Sequence, residues 1–402
     1  MQYLNFSSIT FFYPSRIVGG AEFLFFRLAK YLIDKHNIEV NYIDFHNGVV
    51  ADMLLKNNLK FNHLYYTGQN TINIDDKSVV ISPLSSIYEI NSMLNGDFKI
   101  LLWSIHPSGL YDVHNGYSKY NPFKKSLMKI GEDLEKLIVK KGVYFMDGTN
   151  LNYQKDIFKF RLAPEDFMPI FCEQRTGIKK SLTQNYINLG WVGRLSNDKI
   201  SALINVIHHT IEYATQNKHL NFVIHIIGEG SEKNKIENIV LPKNVEIKFL
   251  GTMLDEILEN YINKNFDVAF AMGTSALEIG TMRKAVIILD FSYDPIPTDN
   301  KFNWLFDSKD FNVAEKYNKK LSRDLSFEEI MSTVLLGNNY ATGDLCYEYV
   351  IKNHSTDAVG QVVLKSLSQT ELTAADLNNT NFRISCLMKR MRFLVRFLKK
   401  YL

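Results

Sequence analysis

Cysteine is scarce. The 402 residues hold three, Cys172, Cys346 and Cys386. They lie far apart and in no CxxC spacing, so neither a disulfide framework nor a zinc knuckle is indicated and a reducing cytoplasm is the expected setting. Long hydrophobic runs are missing too: no apolar stretch approaches the roughly 20 residues a bilayer demands. The opening MQYLNFSSITFFYPSR lacks a basic start and an apolar segment ending at a small-residue cleavage site, so no export is expected. HExxH, GxSxG and the P-loop do not occur, which leaves zinc protease, serine hydrolase and nucleoside triphosphatase without support. There is no short tandem repeat and no low-complexity tract.

What is present is apolar bulk. Hydrophobic residues make up 46% and aromatic residues 13%, the composition of a chain that buries large side chains, and 402 residues fit two domains better than one core. The net charge of +3 is unevenly spread. After Asp376 no acidic residue follows, whereas Arg383, Lys389, Arg390, Arg392, Arg396, Lys399 and Lys400 add seven positive charges; without them 39 basic residues stand against 43 acidic ones. A mildly acidic body with a basic tail argues against a general nucleic-acid binder.

Short apolar runs alternate with helical patterns, as parallel sheets covered by helices require. SSITFFYP reads as a strand, SRIVGG as its loop and AEFLFFRLAKYLIDKH as the following helix; EVNYIDF, Ser78–Pro83, Lys99–Ile105 and Val143–Met146 supply further strands, with a helix near Lys124–Lys140. From Tyr186 the pattern restarts with INLGWVGRL, ISALINVIHHTIEYATQ, NFVIHIIGEG, VEIKFLG, LDEILENYIN, FDVAFAMG, SALEIGTMR and AVIILDF. The expected architecture is α/β: two Rossmann-like doubly wound domains facing a cleft, at 1–175 and 186–370, joined through Ala163–Asn185 and followed by a basic amphipathic helix at 376–402. Ligands of such sheets sit beyond the carboxyl ends of the strands.

Several loops at those ends carry chemistry. Gly19 and Gly20 precede a helix with Glu22 in its first turn, either as a tight turn or as backbone that a ligand can approach. In WVGRLSNDK, Arg194 follows a strand and Lys199 enters the next helix; two cations and a helix start can neutralise a diphosphate without a metal, or be solvated surface. Gly273, Thr274 and Ser275 offer amides and hydroxyls before a helix, with Glu278 three residues after Ser275. That spacing suits a ligand contact or a capping box in which Glu278 bonds the helix's own start. Gly228 and Glu229 end a strand as a tight turn or a ligand wall, and Thr252 and Met253 follow FLG where backbone could read a planar base. His106, at a strand tip before Pro107 and Gly109, can donate to a sugar hydroxyl or handle a proton near neutral pH, though most lone histidines do neither.

Taken in order, GGAE at Gly19–Glu22, the strand ending at His106, VGRL and Lys199, IIGEG, FLGT and TSALEIG resemble the retaining glycosyltransferases of family 4, which have the GT-B fold; the likeness runs over about residues 8–290. The resemblance implies a nucleotide-diphosphate sugar donor on the second lobe and a glycan or lipid-linked acceptor on the first, with no cofactor. Arg194 and Lys199 match the diphosphate-binding pair. Glu278 matches the second glutamate of the E-x7-E motif, which holds ribose hydroxyls; Gly20 matches the loop facing the donor phosphate and His106 a histidine near the transferred sugar. Phe270 stands where the first glutamate belongs, and the turn Met272–Ser275 is the candidate replacement. That departure keeps open a noncatalytic glycan- or partner-binding protein, and a nucleotide-sugar epimerase is the third option. In the tail, Leu387, Met391, Leu394 and Leu398 fall at helical spacing with cations around them, so 381–402 either lies on an anionic membrane surface or packs back on the first lobe.

Overall fold

A computed structural model describes residues 6–118, 126–177, 186–320 and 323–383. They fall into two compact units, one within Met1–Ile170 and Val359–Leu402, the other within Phe171–Ala358.

The first unit is built on strands β1 (Ser8–Phe12), β2 (Glu39–Asp44), β3 (Asn62–Tyr65), β5 (Ser78–Pro83), β7 (Lys99–Ser104) and β8 (Val143–Phe145), with a separate two-stranded pair, β4 (Ile72–Asn73) and β6 (Leu94–Asn95). The six-stranded sheet runs β3-β2-β1-β5-β7-β8, all parallel. β1 and β5 are wholly buried, as strands covered on both faces are, and their hydroxyls bond within the sheet, Thr10 with Ser78 and Ser82 to the Phe12 carbonyl. The helix Gly20–His36 turns Leu24, Phe25, Leu28 and Leu32 inward and ends on Asn37 at φ 50°, a left-handed cap that asparagine tolerates.

The second unit repeats the plan with β9 (Ile187–Val192), β10 (Phe222–Ile227), β11 (Val245–Phe249), β12 (Val268–Ala271), β13 (Ala285–Ile288) and β14 (Asn303–Trp304), in the order β11-β10-β9-β12-β13-β14. Only β14 is antiparallel to its neighbour. Numbered within each unit, both sheets have the order 3-2-1-4-5-6, so the chain reverses its direction of growth between β1 and β5, and again between β9 and β12. A reversal leaves a crevice at the carboxyl ends because successive helices go to opposite faces.

Three boundaries differ from those expected. Phe171–Gly177 belongs with the second unit, not the first: the amide of Cys172 donates to the His354 carbonyl and that of Arg175 to the Thr281 hydroxyl. Residues from Val359 on return to the first unit, because Leu372, Leu377 and Phe382 lie in its hydrophobic core. The basic tail is therefore not free from 376: Asn91 holds the carbonyls of Leu377 and Phe382. The rest of the expected tail helix, 384–402, lies outside the described residues.

Candidate functional site

In the second unit the loops after β9, β10 and β11 are braided. The amide of Gly193 donates to Ile227, that of Leu195 to the Glu229 carbonyl at 2.9 Å, and that of Gly228 to Gly251 at 2.8 Å. Gly228 sits at φ 133°, and a Cβ there would overlap the Gly193 carbonyl, so both backbone conformation and space demand glycine. The braid presents Arg194 exposed at the end of β9 and carries Lys199 to the start of the helix Ile200–Gln216.

Lys199 is held below the usual lysine range, first by burial and then by the neighbouring Arg194 charge; Asp198 offsets this only in part. Among the described residues neither cation has an ion-pair partner. Two like charges kept close, one half-buried and only partly offset by Asp198, cost folding free energy, which an anion would return.

Across the reversal, β12 leads to Gly273, the N-cap of the helix Thr274–Thr281, at φ 63° with no side-chain cap. A Cβ on Gly273 would meet nothing within 4 Å, so backbone conformation, not packing, selects glycine there. The amides of Thr274 and Ser275 donate to no described group, which leaves a helix start open to an anion. This excludes the capping box: Ser275 is inside the helix, and Glu278 does not reach back. Instead Nη2 of Arg175 donates to Glu278 at 3.2 Å while Nη1 donates to Glu259 at 2.9 Å. Burial disfavours the guanidinium charge, but the two carboxylates outweigh it and raise its pKa. Thr252 is exposed and Met253 half-buried after β11, following Gly251, whose Cβ position lies next to the Glu229 carboxylate. Phe270 is 1% exposed, its ring stacked on Phe327 in the core.

In the first unit Gly19 is the N-cap of its helix and Gly20 is exposed, with open space where a Cβ would stand. Glu22, expected only as a first-turn acid, is buried and accepts from the hydroxyls of Ser15 at 2.7 Å and Tyr13 at 3.0 Å. Burial and the Glu22 charge push the Tyr13 phenol up. Asp44, at the end of β2, accepts from the amides of Ser15, Phe45 and Ala51. His106 is exposed beyond β7; its Nδ1 lies 3.3 Å from the Ser108 hydroxyl, which donates to Asp112 at 2.6 Å. The structure thus gathers Arg194, Lys199, Gly228, Glu229, Gly273, Thr274 and Ser275 around the strand ends of one unit, while Gly19, Gly20 and His106 occupy the strand ends of the other.

No protein-family model matches the chain, and no curated protein matches it. Solved structures do. The lipopolysaccharide outer core galactosyltransferase WaaB is 10% identical with a TM-score of 0.54, over 90% of this chain and 99% of that one. HepE of Anabaena, in complex with UDP and glucose, is 11% identical with a TM-score of 0.50, over 91% and 100%. The chain spans 55% of the length of TarM, at 15% identity, 73% of this chain and a TM-score of 0.44.

The fold is GT-B. Sequence reading missed two residues of its candidate site. Arg175 was hidden because its partners are 84 and 103 residues away. Asp44 lay inside a strand pattern; its only signal was a carboxylate at the apolar end of EVNYIDF.

Proposed function

We propose that the chain is a glycosyltransferase that moves a sugar from a nucleotide-diphosphate sugar to a glycan or lipid-linked acceptor, retaining the anomeric configuration as family 4 enzymes do and requiring no metal or other cofactor. The unpaired cations Arg194 and Lys199, flanking a sheet reversal with the open amides of Thr274 and Ser275, carry the reading. When the bond between the anomeric carbon and the phosphate oxygen breaks, its electrons stay on the diphosphate. Fixed cations and amides favour that growing charge over the ground state. The acceptor hydroxyl forms the new bond to the same carbon and its proton goes to the departing phosphate. In this reading Gly228, Glu229, Thr252, Met253 and Glu278 hold the nucleotide, and Gly19, Gly20 and His106 face the transferred sugar.

The names of the GT-B neighbours, a lipopolysaccharide galactosyltransferase and a protein holding UDP and glucose, support a UDP-sugar donor and a surface glycan. Among the described residues no helix is long and apolar enough to cross a membrane. The proposed setting is the cytoplasmic face of the membrane, with 384–402 as its anionic-lipid contact, since Asn381 and Phe382 are packed on the first unit. One observation favours a noncatalytic binder: the position of the first motif glutamate is filled by the core ring of Phe270.

A thermal-shift screen of UDP-, GDP- and ADP-sugars, followed by donor hydrolysis, tests the proposal. One donor should stabilise the protein and be turned over, and Arg194→Ala or Lys199→Ala should lower turnover about 10²–10³-fold with the fold kept. Unchanged turnover in either variant removes the assignment, and stabilisation without hydrolysis or transfer selects the binder.

A further inference from the structure

At the carboxyl ends of β1, β2 and β3, on the other side of the first unit's reversal from His106, lies a shelf of rings that the donor chemistry does not use. The Arg16 guanidinium sits 4.1 Å from the centroid of the Phe45 ring. Next along the chain, His46 stacks on Tyr65 at 5.3 Å with 16° between the planes. His63 packs against the same tyrosine at 4.5 Å. Arg16 and His46 are exposed, and Tyr65 is 55% exposed at the end of an edge strand.

We propose that this shelf is the acceptor subsite and that it takes a sugar ring bearing an anionic substituent, a carboxylate or a phosphate; the inference rests on the reading of the first unit as the acceptor half. The exposed part of the His46–Tyr65 stack offers an aromatic surface, and the weakly positive C–H edges of a pyranose suit such a surface. The guanidinium supplies the charge preference. With one face on Phe45 its planar fork is held, and among the described residues it has no carboxylate partner, so its donors are available to a planar or tetrahedral anion. No cation field of the whole body explains this, because the chain without its tail is mildly acidic.

The shelf is also fixed before any ligand arrives. Oδ1 of Asp44 accepts from the amide of Ser15 at 2.9 Å and from that of Phe45 at 2.8 Å, and the Val49 amide donates to the Ser15 carbonyl at 2.9 Å. One buried carboxylate therefore locks the backbone on which Arg16 and Phe45 stand, which lowers the ordering entropy that binding must overcome.

Calorimetric titration of the full-length protein with a galacturonate oligosaccharide, glucose 1-phosphate and neutral maltotetraose tests this without any transfer reaction. The anionic probes should bind, weakening as salt is raised, and maltotetraose should bind at least tenfold less well. Arg16→Gln should lose about tenfold and Tyr65→Ala about three- to tenfold of that affinity, while both keep the wild-type circular dichroism and the thermal shift given by the preferred nucleotide. Preference for the uronate or for the sugar phosphate identifies the source of the anion, and either supports the proposal. Equal affinity for maltotetraose, or no loss in Arg16→Gln, overturns it. Loss of nucleotide stabilisation with anionic-sugar binding intact would sink the donor reading and leave this one standing.

Discussion

Nη2 of Arg175 donates to Oε2 of Glu278 at 3.2 Å, tying a residue of the connecting segment to the second turn of the helix that opens at Gly273. The same guanidinium reaches Glu259, and all three side chains are less than a quarter exposed. Glu278 is therefore held in an ion trio, and Arg175, from outside the helix that carries it, takes part in directing its carboxylate.

Removing the centre of that trio should cost more than a surface pair does. Arg175→Ala leaves two partly desolvated carboxylates without their shared cation, an expected loss of about 1–3 kcal/mol. Arg175→Lys should recover only part of it, since a single ammonium cannot offer two separately directed forks. The midpoints of urea unfolding for the three proteins provide the measurement, and equal midpoints would show the trio to be energetically idle.

Lys199 offers a separation of stability from function. Its pKa is lowered in the fold, so between the folded value and the ordinary lysine value the unfolded chain holds a proton that the native protein lacks. Stability of the unliganded protein should accordingly rise with pH through that window. Donor binding should run the other way, weakening as the ammonium loses its proton. Lys199→Met removes both the burial of charge and the repulsion from Arg194, so it should be as stable as the parent or more stable by up to about 1 kcal/mol, yet lose donor turnover. Thermal unfolding and donor hydrolysis on the same preparation check the pair of outcomes; a less stable Lys199→Met protein contradicts the strain.

Much of the frame was legible. Ser78–Pro83 could be read residue for residue because its central run Val79–Ile81 is apolar on both faces and Pro83 closes it, and Arg194 because it follows the apolar β9 after a single glycine. Asn62–Tyr65 and Asn303–Trp304 could not: each is an edge strand, one half-exposed and polar and the other two residues long, so no alternation or run announces it. The return of the chain to the first unit was equally hidden, since Leu372 and Phe382 are single apolar residues whose partners only the tertiary packing supplies. The Arg175 clamp and the Asp44 lock failed for that reason too: both join residues far apart in sequence.

Gly228 and Gly273 both have positive φ but differ in what surrounds them. Gly228→Ala adds an overlap with the Gly193 carbonyl to its backbone strain, and its expected cost is about 2–4 kcal/mol. Gly273→Ala faces open space and should cost about 1–3 kcal/mol, for its backbone conformation alone, φ 63° with ψ −143°, a region that side chains avoid. Denaturant titration of the two variants should therefore find the larger loss at Gly228, where overlap adds to backbone strain, and a larger loss at Gly273 would contradict its open surroundings. In the proposed site Gly273→Ala should still weaken the donor, because it strains the turn that presents the amides of Thr274 and Ser275.

The end of the chain separates into a packed part and a basic part. Phe382 is fully buried in the first unit's core, and the Asn381 amide donates to Asp133 at 2.7 Å. Phe382→Ala should thus cost about 3–5 kcal/mol. A chain ending at Arg383 keeps that packing and should unfold like the full-length protein, although it has lost six of the seven tail cations. If those cations meet an anionic bilayer, each contributes about 1 kcal/mol near the headgroups, and the shortened chain should no longer co-sediment with phosphatidylglycerol vesicles. Equal sedimentation of the two chains would assign membrane contact, if any, to some other surface, while a lowered melting temperature of the shortened chain would show the residues beyond Arg383 to be part of the fold.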